Sequence, residues 1–260
     1  MKLKIYQVDA FTDKLFSGNP AAVVPLEQWI PDTRLQQIAA ENNLAETAFF
    51  VKAGNGFELR WFTPENEIDL CGHATVATAF VLHRYYHFKE NEISFSSKSG
   101  TLTVRKKGDL FTLNFPAYTI SPVEATNDVI AAIGKLPAEV FKMKNDLMLV
   151  YHDQHTLEMI RPDFGKLKQC AARGVVVTAP SAEVDFVCRF FAPKMGIDED
   201  PATGSAQCSL IPYWSGRLNK NSVNSIQLSR RKGYFKGEIL GDRVEISGNA
   251  VCYLEGEIEI

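Results

Sequence analysis

The sequence has neither a strong excess of one charge nor a long apolar run. Its 260 residues include 28 Lys and Arg against 31 Asp and Glu, and the formal net charge is -3 at pH 7. This balance lacks the basic footprint of a nucleic-acid binder, so we expect no nucleic-acid partner. No stretch approaches the ~20 apolar residues of a membrane span, and the first residues lack the apolar segment of a signal peptide. We therefore expect a cytoplasmic protein with no membrane partner.

Residue spacings typical of metal and cofactor sites are also missing. The five cysteines are an odd count without a CxxC pair, which favours reduced thiols in a cytosol over a disulfide framework or a zinc site. The five histidines show no metal-ligand spacing, and there is no glycine-rich phosphate loop. We therefore expect a site that uses no metal and no cofactor.

What the chain does contain is an internal repeat. Arg60 to Asp69 lies over Arg189 to Asp198 at a constant offset of 129 residues, about half the chain. In both copies an apolar strand is followed by a polar connection, a small-residue turn and a helix. A helix N-terminus carries free backbone N–H groups that favour an anion, so two such ends predict one site between two halves.

A second match strengthens the repeat. The helical pattern of Leu35 to Ala40 lies over Leu167 to Ala172 at an offset of 132 residues. Two matches in the same order predict a duplicated α+β unit. Because each half is rich in strands and has one helix that is apolar all round, we expect a curled, mostly antiparallel sheet around a central helix in residues 1–116 and again in 117–248. Proline and serine interrupt the pattern near the boundary.

Periodicity predicts the individual elements. Helices are expected at 33–41, 74–82 and 167–172 and after Pro201. Strands are expected at 3–10, 21–25, 47–51, 57–63, 92–97, 101–105, 110–115, 174–179, 186–191, 225–229, 237–240, 243–247 and 251–257.

Glu46 is a candidate because the two halves differ there. An alignment of residues 45–48 with residues 176–179, at an offset of 131, puts Val177 opposite Glu46. One half therefore has a carboxylate where the other has an apolar side chain. Its mainly apolar neighbours disfavour the charged form, which suits a group that transfers protons. The alternative is a glutamate on the exposed face of a strand.

The two turns before the helices supply further candidates. His73 begins the first buried helix, and its alternative role is that of a packed histidine. Asp200 followed by Pro201 is typical of a helix start, with the aspartate as N-cap. A capped helix end can still present its remaining N–H groups to an anion. Gly204 allows close approach of the backbone, and Ser205 offers a hydroxyl group.

Five motifs together resemble one known family. They are Gly18-Asn19-Pro20, Asn43-Leu44-Ala45-Glu46-Thr47, Phe62-Thr63-Pro64, Cys71-Gly72-His73-Ala74-Thr75 and Glu199-Asp200-Pro201-Ala202-Thr203-Gly204-Ser205-Ala206. In this order and spacing the chain is similar to the phenazine-biosynthesis isomerase (PhzF-like) family from about Tyr6 to Gly248.

The resemblance implies the diaminopimelate-epimerase fold, with two pseudo-symmetric halves, a site in the cleft and a homodimeric assembly. It also implies that residues 249–260 complete the first half. A small carboxylate-bearing substrate is expected. By resemblance Glu46 is the acid/base that moves a proton between carbons, assisted by His73 and Asp200, while Gly72, Gly204 and Ser205 hold the substrate.

Other functions compete with this isomerase. An amino-acid racemase or epimerase of this fold uses a cysteine at each helix start, whereas Cys71 is matched by Pro201 in the second half. A binding protein that has kept the fold without turnover is the other alternative. The phenazine enzyme has Ser where this chain has Ala45, so we expect one contact to the substrate to be lost and do not take the phenazine enzyme's substrate as this chain's.

Overall fold

The computed structural model describes all 260 residues, Met1–Ile260. They form two compact units. The first unit comprises Met1–Asn114 and Ser247–Ile260, and the second comprises Phe115–Ile246. None of the helices is both long and apolar enough to cross a membrane.

The chain contains 18 strands and six α-helices. Up to residue 116 they are β1 (Lys2–Ala10), β2 (Asn19–Leu26), α1 (Asp32–Asn42), β3 (Glu46–Ala53), β4 (Gly56–Phe62), β5 (Glu67–Ile68), α2 (Gly72–Tyr85), β6 (Glu92–Ser97), β7 (Gly100–Lys107) and β8 (Leu110–Pro116). The remainder are β9 (Ser121–Pro122), α3 (Asn127–Ile133), β10 (Glu139–Lys142), β11 (Leu147–Val150), α4 (Gln154–Met159), α5 (Phe164–Gln169), β12 (Val175–Pro180), β13 (Phe186–Ala192), β14 (Ile197–Asp200), α6 (Gly204–Leu218), β15 (Ser222–Gln227), β16 (Gly233–Leu240), β17 (Arg243–Gly248) and β18 (Ala250–Glu259).

The sheet of the first unit is mostly antiparallel. Strand β1 lies between β2 and β18 and is antiparallel to both. Strand β2 is parallel to β3, which is antiparallel to β4. Strand β4 pairs in parallel with β6, and β6, β7 and β8 continue as antiparallel neighbours. The order β18-β1-β2-β3-β4-β6-β7-β8 brings the two ends of the chain together.

Helix α2 lies inside the curl of this sheet. It packs against β1, β2, β3, β7 and β18. Small side chains on all its faces permit this close approach. The hydroxyls of Thr75 and Thr78 are buried, and they donate to the carbonyl oxygens of Cys71 and Ala74 at 2.6 and 2.8 Å. These two hydroxyls are therefore satisfied within the helix itself, as burial requires.

Helix α1 covers the other face of the same strands, with one side buried. Leu35, Ile38 and Ala39 pack with Phe49 and Phe62 in one apolar cluster. The helix ends at Asn42, and the next residue has the left-handed φ of 48° that an asparagine tolerates. The apolar spacing and the asparagine stop of the sequence are confirmed.

The second unit repeats this arrangement. Strand β11 is parallel to β12, which is antiparallel to β13, and β13 pairs in parallel with β15. These pairings are the counterparts of β2 with β3, β3 with β4 and β4 with β6. Helix α6 is the buried helix and packs against β15 and β16. Trp214 of this helix stacks on Phe186 at 5.5 Å between ring centroids. The predicted fold class, a curled sheet around a central helix in each half, is confirmed.

Sheet register shows which residues of the two units correspond. Arg60 of β4 pairs with Phe49 of β3. Arg189 of β13 pairs with Val177 of β12. Val177 therefore corresponds to Phe49, and the alignment that put it opposite Glu46 was wrong. Apolar strands match one another at several offsets, so a short sequence match did not define the register.

Counting back along each strand, the position that corresponds to Glu46 is Gly174. A Cβ atom at Gly174 would lie 2.7 Å from the ring of Phe190, closer than side-chain carbons approach one another. Any larger side chain at this position would therefore force the ring of Phe190 to move. The first half therefore still has a carboxylate where the second half has none, because the ring of Phe190 occupies the space that a side chain at Gly174 would need.

A pair of arginine–glutamate clamps recurs in the two units. Nε and Nη2 of Arg60 donate to the two carboxylate oxygens of Glu67 at 2.7 and 2.9 Å. In the same way, Nε and Nη2 of Arg189 donate to the two carboxylate oxygens of Glu199 at 2.7 and 3.0 Å. The offset is 129 residues between the arginines and 132 between the glutamates, because a 3₁₀ turn, Pro193–Met195, lengthens the second connection. Each clamp ties a long strand to the segment that enters the buried helix.

Several short elements of the second unit had no clear signal in the sequence. They are α3, α4, β9, β10 and β11, of two to seven residues each. A strand or helix this short shows at most two periods of its pattern, so periodicity could not identify it.

Gly237 of β16 tests the close packing of α6. A Cβ atom there would lie 2.4 Å from Cδ1 and 2.5 Å from Cγ1 of Ile211. We expect Gly237→Ala to lower the free energy of unfolding by about 1–3 kcal/mol through overpacking. Urea denaturation measures the change.

The matched control is Gly216→Ala in the same unit. A Cβ atom at Gly216 meets nothing within 4 Å, and the residue lies inside α6. Alanine should therefore stabilise the helix by about 0.5–1 kcal/mol. Equal effects of the two substitutions would contradict the proposed packing of Ile211 on β16.

Candidate functional site

Glu46 lies inside the first unit. It is the first residue of β3 and pairs with Ala21 of β2 in parallel register. Only 12% of its side chain is exposed. The alternative of a glutamate on the exposed face of a strand is therefore wrong. A carboxylate so far removed from water needs a partner.

The partner is His73, the second residue of α2. Cys71 precedes the helix in extended conformation, with φ -141° and ψ 110°, and Gly72 is the first helical residue. This entry turns the imidazole toward β3, and 9% of the side chain is exposed. Nε2 of His73 lies 3.1 Å from Oε2 of Glu46. That oxygen has no aligned hydrogen-bond donor, so the contact is electrostatic, and it is an ion pair when His73 is protonated.

The thiol of Cys71 lies beside the same ring. Its Sγ atom is 3.5 Å from Nδ1 of His73 and 4.0 Å from Nε2. One donor atom from each of Glu46, Cys71 and His73 lies within 4.8 Å of the others. The sequence had placed Cys71 only as a possible racemase cysteine, and it gave no signal that this thiol contacts the histidine.

Burial and charge set the protonation of this cluster. Burial by itself disfavours the charged form of His73, but the neighbouring Cys71 and Glu46 outweigh it and raise its pKa well above the ordinary value. Burial and the charge of Glu46 raise the pKa of the Cys71 thiol. Both shifts arise because the three groups are buried against one another.

Asp200 occupies a different place from the one predicted. It is the last residue of β14, and α6 begins at Gly204 after Thr203. The prediction that Asp200 caps this helix with Pro201 at its first position was wrong. The carboxylate of Asp200 instead accepts a hydrogen bond from the hydroxyl of Thr203. A three-residue segment separates it from the helix.

Gln227 of β15 holds the start of α6 in place. Its Oε1 accepts from the backbone N–H of Thr203 at 2.9 Å, and its Nε2 donates to the carbonyl oxygen of Asp200 at 2.6 Å and to Oγ1 of Thr203 at 3.0 Å. The side chain is fully buried. Because it lies 24 residues from Thr203 along the chain, sequence patterns gave no signal for this role.

The predicted site residues therefore form one group in each unit. Glu46, Gly72 and His73 lie together in the first unit. Asp200, Gly204 and Ser205 lie together in the second, where Gly204 is buried and Ser205 is exposed at the first turn of α6. Gly72 and Gly204 both open a buried helix, so the residue that corresponds to His73 is Ser205.

The raised pKa of His73 predicts a pH dependence of stability. A group whose pKa is higher in the folded state stabilises fully below its unfolded pKa, and that stabilisation is lost as the pH rises through the folded pKa. The melting temperature of the wild type, minus that of His73→Gln, should therefore fall as the pH rises above about 6.5.

His155→Gln is the control for this experiment, because His155 is exposed. The difference in melting temperature between the wild type and this variant should stay constant over the same pH range. A difference for His73→Gln that stays constant or grows above neutral pH would contradict the ion pair.

Comparisons with known proteins identify the family of the chain. Residues 8–256 match the PhzC-PhzF family, described as phenazine biosynthesis-like protein. An uncharacterized isomerase of Pseudomonas aeruginosa is 47% identical to the chain over 260 residues, which cover 100% of both proteins.

Solved structures extend the comparison to the fold. A PhzF-family protein of Enterococcus faecalis superposes with a TM-score of 0.98 at 47% identity and covers 100% of both chains. A hydroxyproline epimerase of Agrobacterium vitis shares the fold alone, with a TM-score of 0.63 at 10% identity, over 99% of this chain and 92% of that one. The chain therefore belongs to the PhzC-PhzF family of phenazine biosynthesis-like proteins and is an isomerase.

Proposed function

We propose that the protein moves a proton between two carbons of a small carboxylate-bearing substrate, without a cofactor, and that Glu46 is the general acid/base. The observation that supports this most is the buried contact of 3.1 Å between Glu46 and His73. A carboxylate that is shielded from water and held beside a histidine is positioned to accept a proton from a bound substrate and to return it.

The reaction has two steps in this proposal. An oxygen of Glu46 takes a proton from a carbon next to a carboxylate or a conjugated system, and the electron pair moves into that system. Glu46 then returns the proton to another carbon, so no proton is gained or lost overall. While Glu46 is protonated, the positive charge of His73 stabilises the negative charge on the substrate.

The remaining predicted residues have supporting roles in the proposal. Asp200 assists proton transfer, and Gly72, Gly204 and Ser205 hold the substrate. Each of the helices α2 and α6 begins with a glycine. A helix N-terminus favours a negative group by about 0.3–1 kcal/mol when exposed, and by more when water is excluded. This electrostatic preference supports a carboxylate on the substrate.

Glu46→Gln tests the role of the base. The substitution keeps the size of the side chain but removes its proton-accepting oxygen, so turnover should fall by at least about a hundredfold. Folding should be nearly intact, because His73 can lose its own proton and leave no unpaired charge. Steady-state kinetics and the melting temperature are measured on the same variant.

Glu41→Gln is the matched control. Glu41 is exposed on α1, and the substitution should change neither turnover nor stability. His73→Ala and Asp200→Asn should reduce the rate less than Glu46→Gln does. If Glu46→Gln unfolded the protein while His73→Ala alone abolished turnover, Glu46 would be structural and the proposed base would be wrong.

Exchange with solvent deuterium tests the reaction itself. The protein is incubated in D₂O with a panel of small unsaturated and hydroxylated carboxylates, and incorporation at carbon is followed by NMR. We expect deuterium in at least one compound with the wild type and none with Glu46→Gln. Compounds that bind but exchange no proton would favour a binding protein over an isomerase.

A further inference from the structure

Three different metal-binding groups converge in the first unit. They are the carboxylate of Glu46 at the start of β3, and the thiol of Cys71 and the imidazole of His73 at the start of α2. Glu46 and His73 are 12% and 9% exposed, and Cys71 is buried. No stretch of sequence shows this set, because its ligands come from two elements 25 residues or more apart.

The distances between the donor atoms suit a small divalent ion. In a tetrahedral zinc site with Zn–N of about 2.0–2.1 Å and Zn–S of about 2.3 Å, neighbouring ligand atoms lie about 3.3–3.6 Å apart. Nε2 of His73 is 3.1 Å from Oε2 of Glu46, and Sγ of Cys71 is 3.5 and 4.0 Å from the two ring nitrogens. A single ion uses one ring nitrogen, and the three donor atoms lie within 4.8 Å of one another. Rotation of the Cys71 and Glu46 side chains toward Nε2 of His73 brings them to the ligand spacing.

We propose that Glu46, Cys71 and His73 form a binding site for one zinc-like divalent ion, and that the bound ion inhibits proton transfer. Nitrogen, sulfur and carboxylate ligands together favour Zn²⁺ or Co²⁺ over Mg²⁺ and Ca²⁺. Inhibition follows because the ion takes the carboxylate oxygen of Glu46 and the ring nitrogen of His73. The claim of inhibition rests on the proposed function, whereas the claim that the ion binds does not.

Cobalt titration of the full chain tests whether the ion binds. A Co²⁺–thiolate bond has a charge-transfer absorption that Co²⁺ bound to oxygen and nitrogen lacks. We expect one equivalent of Co²⁺ per chain to produce this absorption and Zn²⁺ to abolish it. Cys71→Ser should lose the absorption, and it and Glu46→Gln should each weaken binding at least about tenfold through the loss of a ligand.

Cys208→Ser is the matched control. Cys208 is also buried, lies in α6 and is outside the cluster. This variant should bind Co²⁺ as the wild type does, and melting temperatures check that all variants are folded. Absence of the absorption in the wild type would overturn the site. Persistence of the absorption in Cys71→Ser would also overturn it, because another thiol would then be the ligand.

Inhibition is tested by deuterium exchange, with a carboxylate compound from the panel that exchanges in the presence of the wild type. Zn²⁺ should suppress exchange, and a chelator should restore it to the level of the metal-free protein. Faster exchange with Zn²⁺ than with chelator would overturn inhibition and make the ion an activator. Absence of exchange under both conditions, with the cobalt absorption intact, would overturn the proposed function and the inhibition together but leave the metal site.

Discussion

The site of the first unit depends on one constraint, which is that the charge of Glu46 is buried only because the charge of His73 is buried with it. Removing a carboxylate from water costs several kcal/mol unless an opposite charge compensates for it. The 3.1 Å contact supplies that compensation, and it joins the start of β3 to the start of α2. The proposed chemistry uses the same pair, because the positive charge of His73 stays beside the substrate while Glu46 carries the proton.

The duplication shows how the two units differ within a common frame. Both have a parallel strand pair, a buried helix that begins with glycine and an arginine–glutamate clamp before that helix. At the corresponding positions, Glu46 is replaced by Gly174 and His73 by Ser205. The strand pair, the buried helix and the clamp are common to both units because the packing of each unit depends on them. The reactive side chains differ because few of these packing contacts involve them.

The repeat in the sequence was sufficient to predict the fold class but not the equivalence of single residues. Apolar periodicity identified α1, α2, α6 and most strands, since burial imposes a regular spacing on each of them. Periodicity could not show the three-residue 3₁₀ turn before β14 as an insertion. The Asp200-Pro201 pair is typical of a helix start, so Asp200 was assigned as a helix cap. Sheet register, set by hydrogen bonds between strands, resolved both this position and that of Glu46.

The sequence by itself determined that the protein has two similar halves, each with a sheet around an apolar helix, and that Glu46 and His73 are candidates for chemistry. Only the tertiary structure decided that these two side chains form an ion pair, that the thiol of Cys71 lies beside them, and that Gln227 holds the start of α6. Local periodicity encodes which face of an element is buried, whereas contacts between side chains distant in sequence depend on how the elements pack.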